Sequence, residues 1–149
     1  MPTSGVMAAV SFTGGVTAMS FGVLEKPASG SRTFTVATNG ATSGTGTLLS
    51  GVASNAQVQL RRAFGDSSNN SMQLSITGVA TGHAALTLGS FTGMYGATTI
   101  TSFPATVARP ANNAAGTILR IGATLTYTSA SPEEAAPRTM TFDIVAVYP

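Results

Sequence analysis

Residues 6–18 read Val-Met-Ala-Ala-Val-Ser-Phe-Thr-Gly-Gly-Val-Thr-Ala, and the parity of this stretch sets how the rest of the chain is read. The even positions Val6, Ala8, Val10, Phe12, Gly14, Val16 and Ala18 carry no polar side chain, whereas the odd ones are mostly small or hydroxylated. Alternation with a period of two places one set on one face of an extended strand. Gly14 and Gly15 interrupt it, so the stretch predicts a strand, a flexible joint and a second strand. An apolar strand hung on such a joint has two destinations. It is either the first strand of a self-contained monomer or an arm that reaches into a neighbour.

The remainder of the chain continues in strands and turns. Phe34 and Val36 alternate within 33–37, and Asn39-Gly40 is a tight-turn pair because both residues tolerate positive φ. Val58 and Leu60, then Met72, Leu74 and Ile76, then Leu86 and Leu88, mark three more half-buried strands. Residues 92–110 are the least regular part. Two long alternating runs close the chain: Leu119, Ile121, Ala123, Leu125, Tyr127, and Met140, Phe142, Ile144, Ala146, Tyr148. Joined by a loop with Pro132, Glu133, Glu134 and Pro137, they read as the central hairpin of the core. No long segment shows helical periodicity, and the spacing of short strands predicts an all-β sandwich.

Composition narrows the function classes. With 149 residues the chain reads as one domain able to bury a core. Only 8% of residues are charged while 43% are hydrophobic, so polarity comes from Thr, Ser, Asn and Gly. A surface with so little charge tolerates extensive burial against copies of itself. The net charge is +2 and Arg61-Arg62 is an isolated basic pair, which argues against nucleic-acid binding. No apolar run approaches the roughly 20 residues that span a bilayer. No charged n-region followed by an apolar h-region opens the chain, which therefore reads as lacking a signal peptide.

The inventory for chemistry is short. His83 is the sole histidine and sits beside Gly82 without a nucleophile signature, so it reads as a turn or surface histidine. With no cysteine and five dispersed acids, no metal motif and no cofactor site are expected. Asp66 lacks calcium-loop spacing, and the stretch 40–46 lacks the lysine of a phosphate loop. The chain is not expected to be an enzyme.

Several motifs in order have a familiar look. They are Met19-Ser-Phe-Gly22, Pro110-Ala-Asn-Asn-Ala-Ala-Gly116, Ile121-Gly-Ala-Thr-Leu-Thr126 and Arg138-Thr-Met-Thr-Phe-Asp-Ile-Val-Ala-Val-Tyr148. From Met19 onward the chain resembles a family of small secreted bacterial β-sandwich proteins known as domain of unknown function 4402. Members of that family look like pilus subunits. The resemblance departs from known pilins in two ways: Ala136 stands where a glycine is common, and no disulfide is possible.

What the resemblance implies is concrete. The fold would be an immunoglobulin-like, pilin-like β-sandwich completed by an N-terminal donor strand, with an arm at residues 1–15 and the sandwich at 16–149. The chain would be a major pilin of an extracellular fimbrium on the cell surface. It would polymerise head to tail with itself, with a periplasmic chaperone and outer-membrane usher as further partners. Val6, Ala8, Val10 and Phe12 would be the donated side chains, Gly14 and Gly15 the joint, and Leu125, Tyr127, Phe142, Ile144 and Tyr148 the acceptor groove. Burying the four donated side chains would contribute roughly 5–8 kcal/mol by area. Two other readings fit the composition: a virion or phage structural protein, and an adhesin-like binding module using Phe91 and Tyr95 as exposed aromatics.

Overall fold

The computed structural model describes residues 3–7, 10–12, 17–62, 71–111, 116–131 and 140–147. Its strands are Thr3–Met7 (β1), Val10–Phe12 (β2), Val23–Leu24 (β3), Ser31–Val36 (β4), Thr42–Ser43 (β5), Leu48–Ser50 (β6) and Ala56–Arg62 (β7). They continue with Ser71–Ala80 (β8), Leu86–Tyr95 (β9), Thr98–Ile100 (β10), Ala105–Ala108 (β11), Thr117–Thr128 (β12) and Thr141–Val147 (β13). The protein is all-β, and no helix of the described residues is long and apolar enough to cross a membrane.

β12 organises the larger sheet. Its residues Leu119, Ile121, Ala123, Leu125 and Tyr127 are all buried, as strict alternation requires of a strand with one face on the core. Along one side it pairs antiparallel with β9 from Leu119 to Tyr127. Along the other it changes partner: residues 117–121 pair with β7 and residues 123–128 with β4. Gly122 sits at the change. A Cβ there would lie 2.5 Å from the Val36 carbonyl oxygen and 2.9 Å from the Ala37 carbonyl carbon, so only glycine lets the two backbones approach. β10 extends this sheet beyond β9, and β5 extends it beyond β4. The β4–β5 turn is the Asn39-Gly40 pair, with Gly40 at φ +86° and the Asn39 Oδ1 accepting from the Ala41 N–H at 3.0 Å.

The second sheet has the order β1-β13-β8-β11. Phe142, Ile144 and Ala146 of β13 and Met72 and Leu74 of β8 join Phe34, Val36, Leu60, Leu119 and Ile121 of the first sheet in one core cluster. Curled, largely antiparallel sheets sharing a core in this way are compatible with a β-sandwich.

The closing strands correct an expectation. β12 and β13 are not a hairpin: β12 pairs with β4, β7 and β9 in one sheet, whereas β13 pairs with β1 and β8 in the other. Alternation reports which face of a strand is buried, and two strands on opposite sides of a core carry the same pattern as two neighbours. The irregular stretch 92–110 is also strand in large part, holding the end of β9 and all of β10 and β11.

A long edge ribbon precedes β4. β2 pairs antiparallel with β7, Val10 opposite Arg62 and Phe12 opposite Leu60. The same antiparallel run continues through bridges from Thr17 to Gln57 and from Ser20 to Ser54, and into the pairing of β3 with β6. Met19 and Phe21, 1% and 6% exposed, fasten the ribbon to the core, and the Phe21 ring meets Phe34 edge-on at 6.4 Å.

Gly122→Ala forces a methyl group against backbone that has no flexible end to yield. It is expected to cost about 2–3 kcal/mol, an overpacking penalty, and to lower Tm by about 5–10 °C in a thermal melt.

Candidate functional site

β1 is the outermost strand of its sheet, bonded to β13 alone among the described residues. The pairing is parallel, with Thr3, Ser4, Gly5, Val6 and Met7 opposite Phe142, Asp143, Ile144, Val145 and Ala146. β13 is therefore the second strand from the edge. Its residues Phe142, Ile144 and Ala146 are fully buried, and Asp143, Val145 and Val147 are half-buried. Without β1, the backbone of a strand with a complete core face would stand open along one side.

Residues 3–12 hold two strands, β1 and β2. β1 ends at Met7 on the edge of one sheet, and β2 begins at Val10 on the edge of the other. The two strands pair in different sheets, and a strand cannot hydrogen-bond to both at once. Pairing along β7 begins at Val10.

The residues predicted for the site fall as follows. Val6 registers with half-buried Val145, while the fully buried positions of β13 register with Thr3, Gly5 and Met7. Val10 and Phe12 lie in β2. Phe142 and Ile144 lie in β13, directly beside β1. Leu125 and Tyr127 belong to the central strand of the opposite sheet and share the core cluster with them. Ala8, Gly14, Gly15 and Tyr148 lie outside the described residues, as do Asp66, Glu133 and Glu134.

Aromatics expected at a binding face are instead structural. Tyr95 is 5% exposed, and Phe91 leans on Phe142 with ring centroids 5.1 Å apart. The exposed-aromatic platform of the adhesin-like reading therefore does not form from these two residues. His83 caps the turn between β8 and β9, its Nδ1 accepting from the Ala85 N–H at 3.0 Å. Thr81 Oγ1 braces the same turn through the His83 and Leu86 carbonyls at 3.0 and 2.8 Å. Among the described residues no group of three His, Cys, Asp or Glu side chains gathers for a metal.

One surface feature went unread in the sequence. Val23, Leu48, Leu49 and Val52 are exposed on and beside the β3–β6 ribbon, Val52 at 78% and Leu49 at 61%. Its signal was the adjacent pair Leu48-Leu49, since a period-two strand cannot turn both side chains to the same face.

Comparison of the chain with family models, with curated proteins and with solved structures finds no match in any of the three.

The buried Tyr127 supplies a pH handle on the core. Burial raises its pKa above the ordinary phenol value, opposed by the Thr47 backbone and Arg32 and reinforced by Glu25. Because the folded value is the higher one, the contribution is fully present below the unfolded pKa of about 10 and is lost as pH rises through the folded value. Stability in an alkaline denaturation series should fall above about pH 10, with tyrosinate absorbance rising alongside unfolding. Tyr127→Phe should flatten that fall.

Proposed function

We propose that the protein is a structural subunit of an extracellular bacterial filament, a pilin-like β-sandwich that polymerises head to tail when its N-terminal strand completes the sheet of the next copy. The observation that carries this reading is the position of β1: an edge strand, held by β13 alone among the described residues, with only residues 8–9 between it and β2. Such a strand can leave without dismantling the ribbon from Val10 onward, because Met19 and Phe21 anchor that ribbon separately. The edge it vacates belongs to a strand whose core face is already complete. Main-chain hydrogen bonds along that edge then supply affinity, as they do wherever an extended segment adds to a sheet.

Contacts of this kind are heterologous: the donated strand and the accepting edge are different surfaces. They repeat without closing, which gives a filament. The sparse charge of the chain suits burial between copies, and its resemblance to the domain of unknown function 4402 family points toward a fimbrium on the cell surface. A periplasmic chaperone and an outer-membrane usher are the partners that this setting implies. The same sparse charge also suits a subunit of a virion or phage particle, which electron microscopy distinguishes by the form of the assembly.

Deleting residues 1–8 removes β1 and leaves the ribbon. The expected result, by sedimentation and negative-stain microscopy, is a folded monomer that does not polymerise, while the full chain forms filaments. Polymerisation of the truncated chain at the rate of the full one would overturn the proposal, as would failure of the full chain to form any repeating particle.

A further inference from the structure

We infer that β1 is exchanged between copies in the parallel register it holds within a single chain, so that the self-paired monomer is the resting form and release of β1 from its own β13 is the step that starts assembly. This rests on the filament reading and specifies its geometry and its regulation.

The register is the first support. Five successive residues of β1 pair with residues 142–146 of β13, and nothing in that pairing requires both strands to come from one molecule. An exchanged strand that keeps its register recovers every backbone bond of the closed form, so the closed and exchanged states differ mainly in how the chain connects. The connection is the second support. From Met7 to Val10 the chain has three Cα steps, a reach of about 10–11 Å. That is about the spacing of two packed sheets. Only two residues separate β1 from β2, strands that pair in different sheets. Short hinges of this kind favour exchange, because the open form lets the same residues run out toward another molecule.

Regulation follows from the same geometry. Within one chain the local concentration of β1 at β13 is high and independent of protein concentration, whereas a neighbour's β1 competes only as protein concentration rises. A monomer therefore guards its own accepting edge until it is crowded among copies or until another molecule draws β1 away. β1 is only five residues long, Thr3–Met7, so few backbone bonds must break for its release.

The chain has no cysteine, so an introduced pair reports this contact without competition. Val6→Cys with Val145→Cys places thiols on register partners of adjacent strands, at about the 4.4–6.8 Å Cα separation a disulfide accepts. Dilute oxidised protein should form the bond within single chains and then fail to assemble. The reduced double variant should assemble like the unsubstituted chain. Oxidation of its finished filaments should give a ladder of covalent oligomers on a non-reducing gel. Ser4→Cys with Asp143→Cys, the neighbouring register pair, repeats the test if the first pair perturbs folding. Filaments whose subunits never cross-link through either pair would overturn the parallel register. Assembly by the oxidised, intramolecularly bonded monomer would overturn the resting-form claim. Neither outcome touches the filament reading, which fails separately if the unsubstituted chain does not polymerise.

Discussion

The outer edge of β13 is the constraint around which this structure is arranged. Phe142, Ile144 and Ala146 are fully buried, so the strand cannot leave the core without opening it. Yet one row of its backbone groups faces outward and needs a partner. A single five-residue strand, β1, supplies that partner within the chain. Backbone groups on an unpaired strand bind any extended segment that presents itself, and folded proteins rarely leave such an edge uncovered.

The rest of the fold holds that edge in place without depending on β1. β13 is fastened on its other side to β8, and β8 to β11. Across the core, β12 is pinned by β9 on one flank and by β7 and β4 in turn on the other, with Gly122 making the close approach at the change of partner. The ribbon that begins at β2 closes the sheet beside β7 and buries Met19 and Phe21. Removing β1 therefore takes away an edge and leaves the core's main contributors where they are.

How much of this was legible in the sequence depends on what alternation encodes. It identified Phe34, Val58, Leu60, Met72, Leu74 and the inward sets of β12 and β13 as buried, because period two reports the face directly. Pairing was not legible: β12 and β13 carry like patterns and face one another across the core. The second half of β9 was obscured by a bulge. The four residues from Gly89 to Thr92 lie opposite the three from Gly122 to Thr124, and Ser90 takes φ +50°. The extra residue reverses parity, so Leu86 and Leu88 give way to Gly93 and Tyr95. At the N-terminus β1 and β2 pair in different sheets, although the apolar even positions run from Val6 to Phe12 without interruption. An exchange of edge between two sheets leaves no mark on a pattern that records only inside and outside. The candidate site divides in the same way: Phe142 and Ile144 were readable as buried, but their place beside β1 was not.

Electron cryo-microscopy of assembled material tests the central claim most directly, through the path of the chain between β1 and β2. The account predicts a filament in which the strand beside each β13 is traced, through residues 8 and 9, to the β2 of the adjacent subunit. A repeating particle in which that strand leads back to the β2 of its own subunit would contradict it.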